Sequence, residues 1–96
     1  LNEILSVLLL AHKYDKPVWP HAGGVGLCEY VQHIAMIDYL LISCEKNSKR
    51  IEYVDHLHEH FLNPCKIKEG KYSAPLNPGF SIEMKNETLT NYLYSD

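Results

Sequence analysis

The sequence predicts an α/β protein in which parallel strands are connected by helices. An apolar stretch of helical length comes first, two short stretches have the length and residue types of strands, and a periodic helix separates them. This order, helix–strand–helix–strand, is typical of parallel strands with crossover helices. Because parallel strands are buried on both faces, these two need neighbours, either from copies of the chain or from a larger barrel or doubly wound sheet.

The first element is a predicted helix over residues 2–14, with Asn2 as its N-cap and Glu3 in its first turn. It should end before Pro17, because the residue preceding a proline is disfavoured in the helical region. The apolar residues of this helix cover more than one face: Ile4, Leu5, Val7, Leu8, Leu9, Leu10 and Ala11. A helix of this kind is expected to be buried against something large, which favours the larger sheet.

The first predicted strand covers residues 18–20 and leads into His21. Pro20 argues against a fully hydrogen-bonded central position, since proline has no N–H to donate. A tight loop is predicted next from three glycines, Gly23, Gly24 and Gly26. Unpaired amides in such a loop before a helix could bind an anion, although a tight turn is the commoner explanation.

The second half of the pattern repeats helix and strand. Residues 26–38 have apolar side chains at helical spacing, and residues 39–43 fit either the last turn of that helix or a short strand. Residues 51–55 form the second predicted strand. Beyond Phe61, prolines and glycines interrupt the chain, leaving a hairpin around Gly70 and a final helix that starts at Ser81 or within residues 86–94; this segment is expected to wrap over the body of the fold.

Composition excludes several classes of protein. The chain has 96 residues, 46% hydrophobic and 22% charged, with a formal charge of −3, so it lacks the basic field that nucleic acid or anionic lipid requires. Three widely spaced cysteines fit a reducing compartment better than a disulfide framework. The apolar run over residues 4–11 is too short to span a bilayer and lacks signal-peptide flanks, so we expect a soluble intracellular protein. Because the chain opens inside a helix, we also expect it to belong to a longer protein.

His21 is the first candidate for chemistry, because it stands at the C-terminal end of a predicted parallel strand, where α/β barrels hold catalytic groups. A histidine there suits general acid or base catalysis, although it could also be an ordinary hydrogen-bonding loop residue. A catalytic imidazole usually needs an orienting carboxylate. The only upstream acids are Glu3 and Asp15, and Asp15 lies at the wrong end of the strand, so the partner of His21 is expected outside the chain.

Two acids accompany the second predicted strand. Glu52 and Asp55 have opposite parity along a strand, so they should point to opposite faces. A charge within a strand is costly unless it is paired or used, and Glu52 is therefore an active-site candidate, with an edge or salt-bridged glutamate as the alternative.

The segment after that strand contains three alternating histidines, His56, His58 and His60. On an extended chain they would share one face and could bind zinc. If the segment turns helical, the three side chains separate, and the spacing does not match that of helical zinc-ligand pairs. Cys28, within the second helix, fits packing better than nucleophilic chemistry.

Three long motifs then identify a resemblance. "PVWPHAGGVGLCEYVQH" at residues 17–33, "IEYVDHLHEHF" at 51–61 and "APLNPGFSIEM" at 74–84 resemble the C-terminal quarter of the L-fuconate dehydratases, in the mandelate-racemase-like branch of the enolase superfamily. The resemblance implies the C-terminal portion of a modified TIM barrel, (β/α)7β. Residues 1–63 would hold its seventh and eighth strands with their helices, and residues 64–96 would return to an α+β capping domain.

The resemblance also implies the chemistry. His21 matches a general acid that helps the 3-hydroxyl leave and delivers a proton to the product, and Glu52 matches a carboxylate beside the substrate. The reaction removes the proton α to a carboxylate polarised by Mg²⁺, then loses water to give a 2-keto-3-deoxy acid.

Other parts of such an enzyme are missing from the 96 residues. The acidic Mg²⁺ ligands, the lysine base and an aspartate partner of His21 are expected upstream of Leu1, so no ligand of that metal is expected in this chain and turnover by the chain alone is not expected. The implied partners are a small sugar acid and further copies of the same protein, without nucleic acid or membrane, and the animal members imply a mitochondrial location. Two alternatives remain open: a small metal-binding or interaction module using the three histidines, and an inactive relative that retains only the fold.

Overall fold

Two helices form the body of the protein, which the structure, a computed structural model, describes over residues 1–45 and 49–94. Helix α1 spans Asn2–Lys13 and helix α2 spans Leu27–Ile37, so both predicted helices are confirmed. The predicted Asn2 cap is wrong, because Leu1 occupies the N-cap position without a side-chain hydrogen bond and its carbonyl accepts from the Leu5 amide.

Helix α2 continues directly into a π-helical segment, Asp38–Ser43, which resolves the ambiguity over residues 39–43 in favour of helix. The N-cap of α2 is Gly26, whose φ of 73° lies in the left-handed region that glycine adopts without strain. A Cβ at Gly26 would also lie 3.0 Å from Phe61 Cζ. Glycine at this position therefore allows both the turn into α2 and the close packing of Phe61.

Neither of the two predicted strands is a regular strand: residues 18–20 and 51–55 are irregular chain in the structure. One backbone hydrogen bond joins them, from the Glu52 amide to the Pro20 carbonyl at 3.2 Å. The reason is that Pro20 offers no amide and that parallel strands need neighbours on both sides to form a ladder. The bond nevertheless places the two segments next to each other.

The predicted hairpin around Gly70 is confirmed. Strand β1, Ile67–Lys68, pairs antiparallel with strand β2, Lys71–Tyr72. The two loop residues, Glu69 and Gly70, have φ values of 53° and 73°. Positive φ at both positions is the conformation of the type I′ turns that commonly close two-residue hairpins.

The rest of the C-terminal segment packs back over the body, as predicted. An antiparallel bridge joins Phe61 to Met84, and backbone hydrogen bonds flank it on both sides. The Phe80 ring contacts the rings of Tyr30 and His33 on α2. Helix α3, Asn86–Asn91, is the last helix of the described chain and begins at the second of the two predicted positions.

The buried core lies between α2 and the two irregular segments. Its centre is formed by Ala22, Cys28 and Val31, and against them pack Ile51, Val54 and Cys65. In α1 only Leu8 is buried among the described residues, whereas Leu9 and Leu10 are each 58% exposed. The expected burial of α1 on several sides is thus not provided by this chain. No helix in the described ranges has the length and apolarity needed to cross a membrane.

Candidate active site

The structure brings together the two residues that the sequence singled out for catalysis. His21 Nδ1 lies 2.5 Å from Glu52 Oε2, and the same carboxylate oxygen accepts a hydrogen bond from the Ala22 amide at 2.5 Å. The side chains of His21 and Glu52 are 78% and 41% exposed, respectively. The pair is therefore open to solvent on its outer side and anchored to the backbone on its inner side.

The arrangement fixes which nitrogen of His21 can exchange a proton. An ionised carboxylate only accepts hydrogen bonds, so Nδ1 carries a hydrogen and donates it to Glu52. Nε2 is then the nitrogen that gives up a proton when the ring is charged and takes one when it is neutral. A neighbouring carboxylate that holds the tautomer and stabilises the imidazolium is what general acid–base catalysis by histidine uses.

Gly23 allows the imidazole to occupy this position. A Cβ added at Gly23 would lie 2.8 Å from His21 Cε1 and 2.9 Å from His21 Nε2, closer than carbon atoms approach in real proteins. The ring folds over the backbone of the glycine loop, which contains no side chain at that point. This contact explains why a glycine follows two positions after the histidine.

A carboxylate within the chain also lies beside His21. The backbone hydrogen bond between Glu52 and Pro20 places this downstream acid next to the ring. The aspartate partner expected upstream of Leu1 stays a prediction. Asp55 instead accepts a hydrogen bond from Tyr53 Oη at 2.9 Å, which raises the pKa of Tyr53 to about 12.

The three alternating histidines do not converge. His58–His60 forms a 3-10 helix, and its two histidines have different partners. His60 Nδ1 lies 3.2 Å from Thr88 Oγ1 and its ring contacts Tyr92, whereas His58 points to α2. Within the described residues, the group able to hold a metal ion consists of Cys28, His58 and Cys65, whose ligand atoms all lie within 4.8 Å of one another.

His58 of that group forms an ion pair with a buried carboxylate, Glu29. His58 Nδ1 is 2.6 Å from Glu29 Oε1, and His58 Nε2 is 2.8 Å from the Val54 carbonyl oxygen. Burial lowers the pKa of His58, but the hydrogen bonds to Glu29 and Val54 outweigh it, so the pKa is raised. Glu29 is 1% exposed and was missed by sequence reasoning, since an acid in the first turn of a helix ordinarily faces solvent.

Cys65 contacts this pair, and Cys28 Sγ lies within 4.8 Å of the ligand nitrogen of His58. Cys65 Sγ lies 3.7 Å from His58 Nδ1, and the Cys65 amide donates to Glu29 Oε1 at 3.2 Å. The Val54 amide donates to Cys28 Sγ at 3.4 Å. Burial, followed by the charge of Glu29, raises the pKa of Cys65 to about 12. Cys28 is in the core, as expected, but it is also part of this polar cluster.

These features together define an α/β domain with an exposed histidine–carboxylate pair at the junction of two adjacent extended segments. A family model described as "Enolase C-terminal domain-like" matches residues 1–88. The chain therefore belongs to the enolase C-terminal domain-like family, and the resemblance to the enolase superfamily is confirmed.

Curated relatives give the same assignment. The chain is 52% identical over 96 residues to "Mitochondrial enolase superfamily member 1" of Homo sapiens, covering 100% of this chain and 22% of that protein. It is 52% identical over 94 residues to "L-galactonate dehydratase" of Hypocrea jecorina, covering 98% of this chain and 20% of that protein. The crystal structure of human mitochondrial enolase superfamily member 1 matches with a TM-score of 0.93 and 52% identity over 98% of this chain and 21% of that one. The chain thus spans about a fifth of the length of these relatives.

Proposed function

We propose that the protein is an acid-sugar dehydratase of the enolase superfamily, which eliminates water from a six-carbon sugar acid, L-fuconate first and L-galactonate next. The observation that carries the proposal is the contact between His21 and Glu52, which leaves His21 Nε2 as the exchangeable site of a solvent-facing imidazole. The 52% identity to a protein named L-galactonate dehydratase supports this class of substrate.

In the proposed reaction a base outside these 96 residues, the lysine expected upstream of Leu1, takes a proton from the carbon next to the substrate carboxylate, and the C3–O bond then breaks. The charged His21 ring donates its Nε2 proton to the departing 3-hydroxyl, which leaves as water, and the ring becomes neutral. The enol tautomerises to a 2-keto-3-deoxy acid, and His21, reprotonated, delivers a proton to the product. Proton transfer of this kind typically contributes a factor of about 10² to 10⁴ to the rate.

Glu52 has two proposed roles. Its Oε2 accepts the Nδ1–H of His21 and so fixes the ring with Nε2 as the nitrogen available to the substrate. The Ala22 amide, which is buried, keeps that carboxylate in place. In addition, we place Glu52 beside the carboxylate or enediolate end of the substrate.

The proposal includes the position of the chain in a barrel. Residues 17–21 are assigned to the seventh strand and residues 51–55 to the eighth, with 1–63 as the last barrel units and 64–96 as the return to a capping domain. The hydrogen bond between Glu52 and Pro20 supports the pairing of the two strands. Further strands would complete the ladders that this chain alone does not form.

Magnesium would supply charge stabilisation to the proposed reaction, but the described residues do not fit that ion. Mg²⁺ prefers oxygen ligands in octahedral geometry, and the candidate metal group here consists of two thiols and an imidazole. We therefore derive no step through Mg²⁺ and assign its ligands to parts of the protein outside these residues. The names of the animal relatives support a mitochondrial location, and we also propose a homo-oligomer.

Substitution of His21 tests the proposed function. We expect His21→Asn and His21→Ala, placed in the protein at its full natural length, to lower the rate of water elimination from L-fuconate and L-galactonate about 10² to 10⁴-fold. The rate is measured by following formation of the 2-keto-3-deoxy acid. His56→Asn is the matched control, since His56 is an exposed histidine outside the pair.

Two outcomes would contradict the proposal. An unchanged rate in both His21 variants would mean that His21 is not the acid. Absence of elimination by the unmodified protein, folded and supplied with Mg²⁺, would identify an inactive relative.

A further inference from the structure

We propose that Cys28, Cys65 and His58 form a three-ligand binding site for Zn²⁺ or a similar soft divalent cation, with the Glu29 carboxylate beside it. The sulfur and nitrogen ligand atoms of the first three residues lie within 4.8 Å of one another. The site is separate from the His21–Glu52 pair and does not depend on the proposed reaction. It also differs from a site built on the three alternating histidines, because it uses only one of them.

The hydrogen bonds of His58 orient it as a metal ligand. Its Nε2 lies 2.8 Å from the Val54 carbonyl, which accepts the Nε2 hydrogen, and its Nδ1 is directed at Glu29 Oε1, 2.6 Å away. On binding an ion, Nδ1 would give up the hydrogen that it donates to Glu29 and use the freed lone pair as ligand. Histidines that bind metals in proteins commonly donate their other ring N–H to a carbonyl or carboxylate in this way. Ring stacking also restrains the imidazole, since the Tyr53 ring lies parallel to it, with 5.3 Å between the ring centroids and 2° between the ring planes.

Backbone groups position both cysteines, and binding of an ion would displace the proton of the Cys65 thiol, whose pKa is raised to about 12. The Val54 amide donates a hydrogen bond to Cys28 Sγ at 3.4 Å, which stabilises negative charge on that sulfur. The Cys65 amide donates to Glu29 Oε1 at 3.2 Å, which fixes the backbone of the second cysteine beside the carboxylate. Each thiol is thus positioned by a backbone contact before any ion binds.

One pair of ligands already has the spacing that a bound ion requires. With Zn–S near 2.3 Å and Zn–N near 2.0 Å, tetrahedral coordination places sulfur and nitrogen about 3.5 Å apart. Cys65 Sγ and His58 Nδ1 are 3.7 Å apart. The remaining ligand atoms lie within 4.8 Å of one another and would move closer around the ion.

The donor set selects the kind of ion. Thiolates and imidazole favour zinc over magnesium or calcium, which prefer oxygen. The charge of the cation also compensates Glu29 and two thiolates in a region where Glu29 and Cys28 are buried. Because the ligands come from α2, the segment after Val54 and the start of the C-terminal segment, a bound ion would connect three parts of the fold and stabilise them.

Cobalt, which occupies zinc sites and reports thiolate ligation in its absorption spectrum, provides the test. We expect the reduced full-length protein to bind one Co²⁺ with a sulfur-to-cobalt charge-transfer band and with the intense visible bands of tetrahedral coordination. Addition of Zn²⁺ should abolish both, and excess Mg²⁺ should leave them. Zn²⁺ should also raise the thermal unfolding midpoint of the unmodified protein.

Variants assign the ligands. Cys65→Val and His58→Gln should each weaken Co²⁺ binding at least tenfold and remove or weaken the bands, whereas the controls Cys44→Ser and His56→Gln, at exposed positions outside the cluster, should retain them. Circular dichroism checks that each variant is folded. A folded unmodified protein without a charge-transfer band, or a band that keeps its full intensity and affinity in Cys65→Val, would overturn the proposal and leave a His58–Glu29 ion pair without a metal role.

Discussion

At Gly23 the chain has no room for a side chain unless the imidazole of His21 moves. The nearest ring atoms would lie 2.8 and 2.9 Å from an added Cβ, while the ring itself is mostly exposed and can rotate away. Movement of the ring should change the free energy of unfolding little, because few contacts are lost. It should lower the rate of water elimination more strongly, because proton transfer requires a hydrogen-bond distance between the ring and the substrate.

We predict that Gly23→Ala lowers the rate of water elimination about 10- to 100-fold, with a change in unfolding free energy below about 1 kcal/mol. Steady-state kinetics and urea denaturation measure the two effects. The matched control is Gly24→Ala, whose Cβ would meet only the flexible end of Leu27, at 3.2 Å. Equal losses of rate in the two variants would contradict the proposed role of Gly23.

His33 supplies a prediction about pH and stability. It lies on α2 beneath Phe80, with Nε2 3.2 Å from Ser81 Oγ. Burial lowers the pKa of His33 below its ordinary value of 6.5, although a backbone hydrogen bond with Phe80 acts in the opposite direction. The folded protein thus binds a proton at His33 less readily than the unfolded chain does. The free energy of unfolding therefore has its full value above pH 6.5 and falls as the pH drops from there through the lowered pKa of His33.

We therefore expect the unmodified protein to lose stability relative to His33→Gln as the pH is lowered from 7.5 to 5. Glutamine can still donate to Ser81 but does not titrate. Urea denaturation at several pH values, with the difference between the two proteins plotted, measures the effect. The prediction is contradicted if the difference in unfolding free energy between the two proteins stays constant with pH, or if the unmodified protein gains stability relative to His33→Gln at low pH.

At the scale of elements, the hairpin between β1 and β2 has a sequence that does not match its turn. Glu69 adopts a φ of 53°, where residues other than glycine, asparagine and aspartate are strained. Asparagine followed by glycine is the preferred pair in type I′ turns. We predict that Glu69→Asn raises the free energy of unfolding by about 0.5 to 1 kcal/mol and that Gly70→Ala lowers it by about 1 kcal/mol.

Urea denaturation measures both hairpin variants. Glu83→Asn, an exposed position with the same change of charge, is the control for Glu69→Asn. If the control stabilises the protein as much as Glu69→Asn does, the effect belongs to charge and not to the turn.

Elements with strong local signals could be predicted from the sequence. The periodic apolar spacing over 26–38 and the glycine at 70 were sufficient for α2 and the hairpin, because helices and tight turns are decided by nearby residues. The strands at 18–20 and 51–55 could not be established this way, since a parallel ladder depends on neighbouring strands distant in sequence.

The same limit applied to the sites. His21 and Glu52 were identified singly, but their contact joins residues that lie 31 positions apart in the sequence. The cluster of Glu29, His58 and the two cysteines was not anticipated, because its members belong to three segments and no spacing motif links them. Asn2 was misassigned as a cap because residue preference alone does not locate the first helical turn.

At the scale of the whole molecule, much apolar surface remains uncovered. Leu9 and Leu10 on α1 are each 58% exposed, Leu41 is 77% exposed and Leu76 is 96% exposed. Exposed apolar surface of this extent normally marks contact with other protein. In the proposed barrel, α1 would be covered by neighbouring units.

We predict that the 96-residue chain, expressed by itself, self-associates and binds a hydrophobic dye. Replacing two exposed leucines, in the double variant Leu9→Lys and Leu41→Lys, should reduce both effects without removing a buried side chain. Sedimentation velocity and dye fluorescence measure them. A monomeric, dye-free unmodified chain would show that these surfaces do not need partners.

The central claim is that His21, held by Glu52, protonates the leaving hydroxyl, while removal of the α-proton belongs to another group. The two steps can be separated in heavy water, where NMR follows deuterium entering the α-carbon of unreacted substrate and formation of the keto acid in the same sample. We predict that His21→Asn at full natural length retains α-carbon exchange while keto-acid formation falls about 100-fold or more. Loss of both signals to the same extent, or retention of both, would contradict the account.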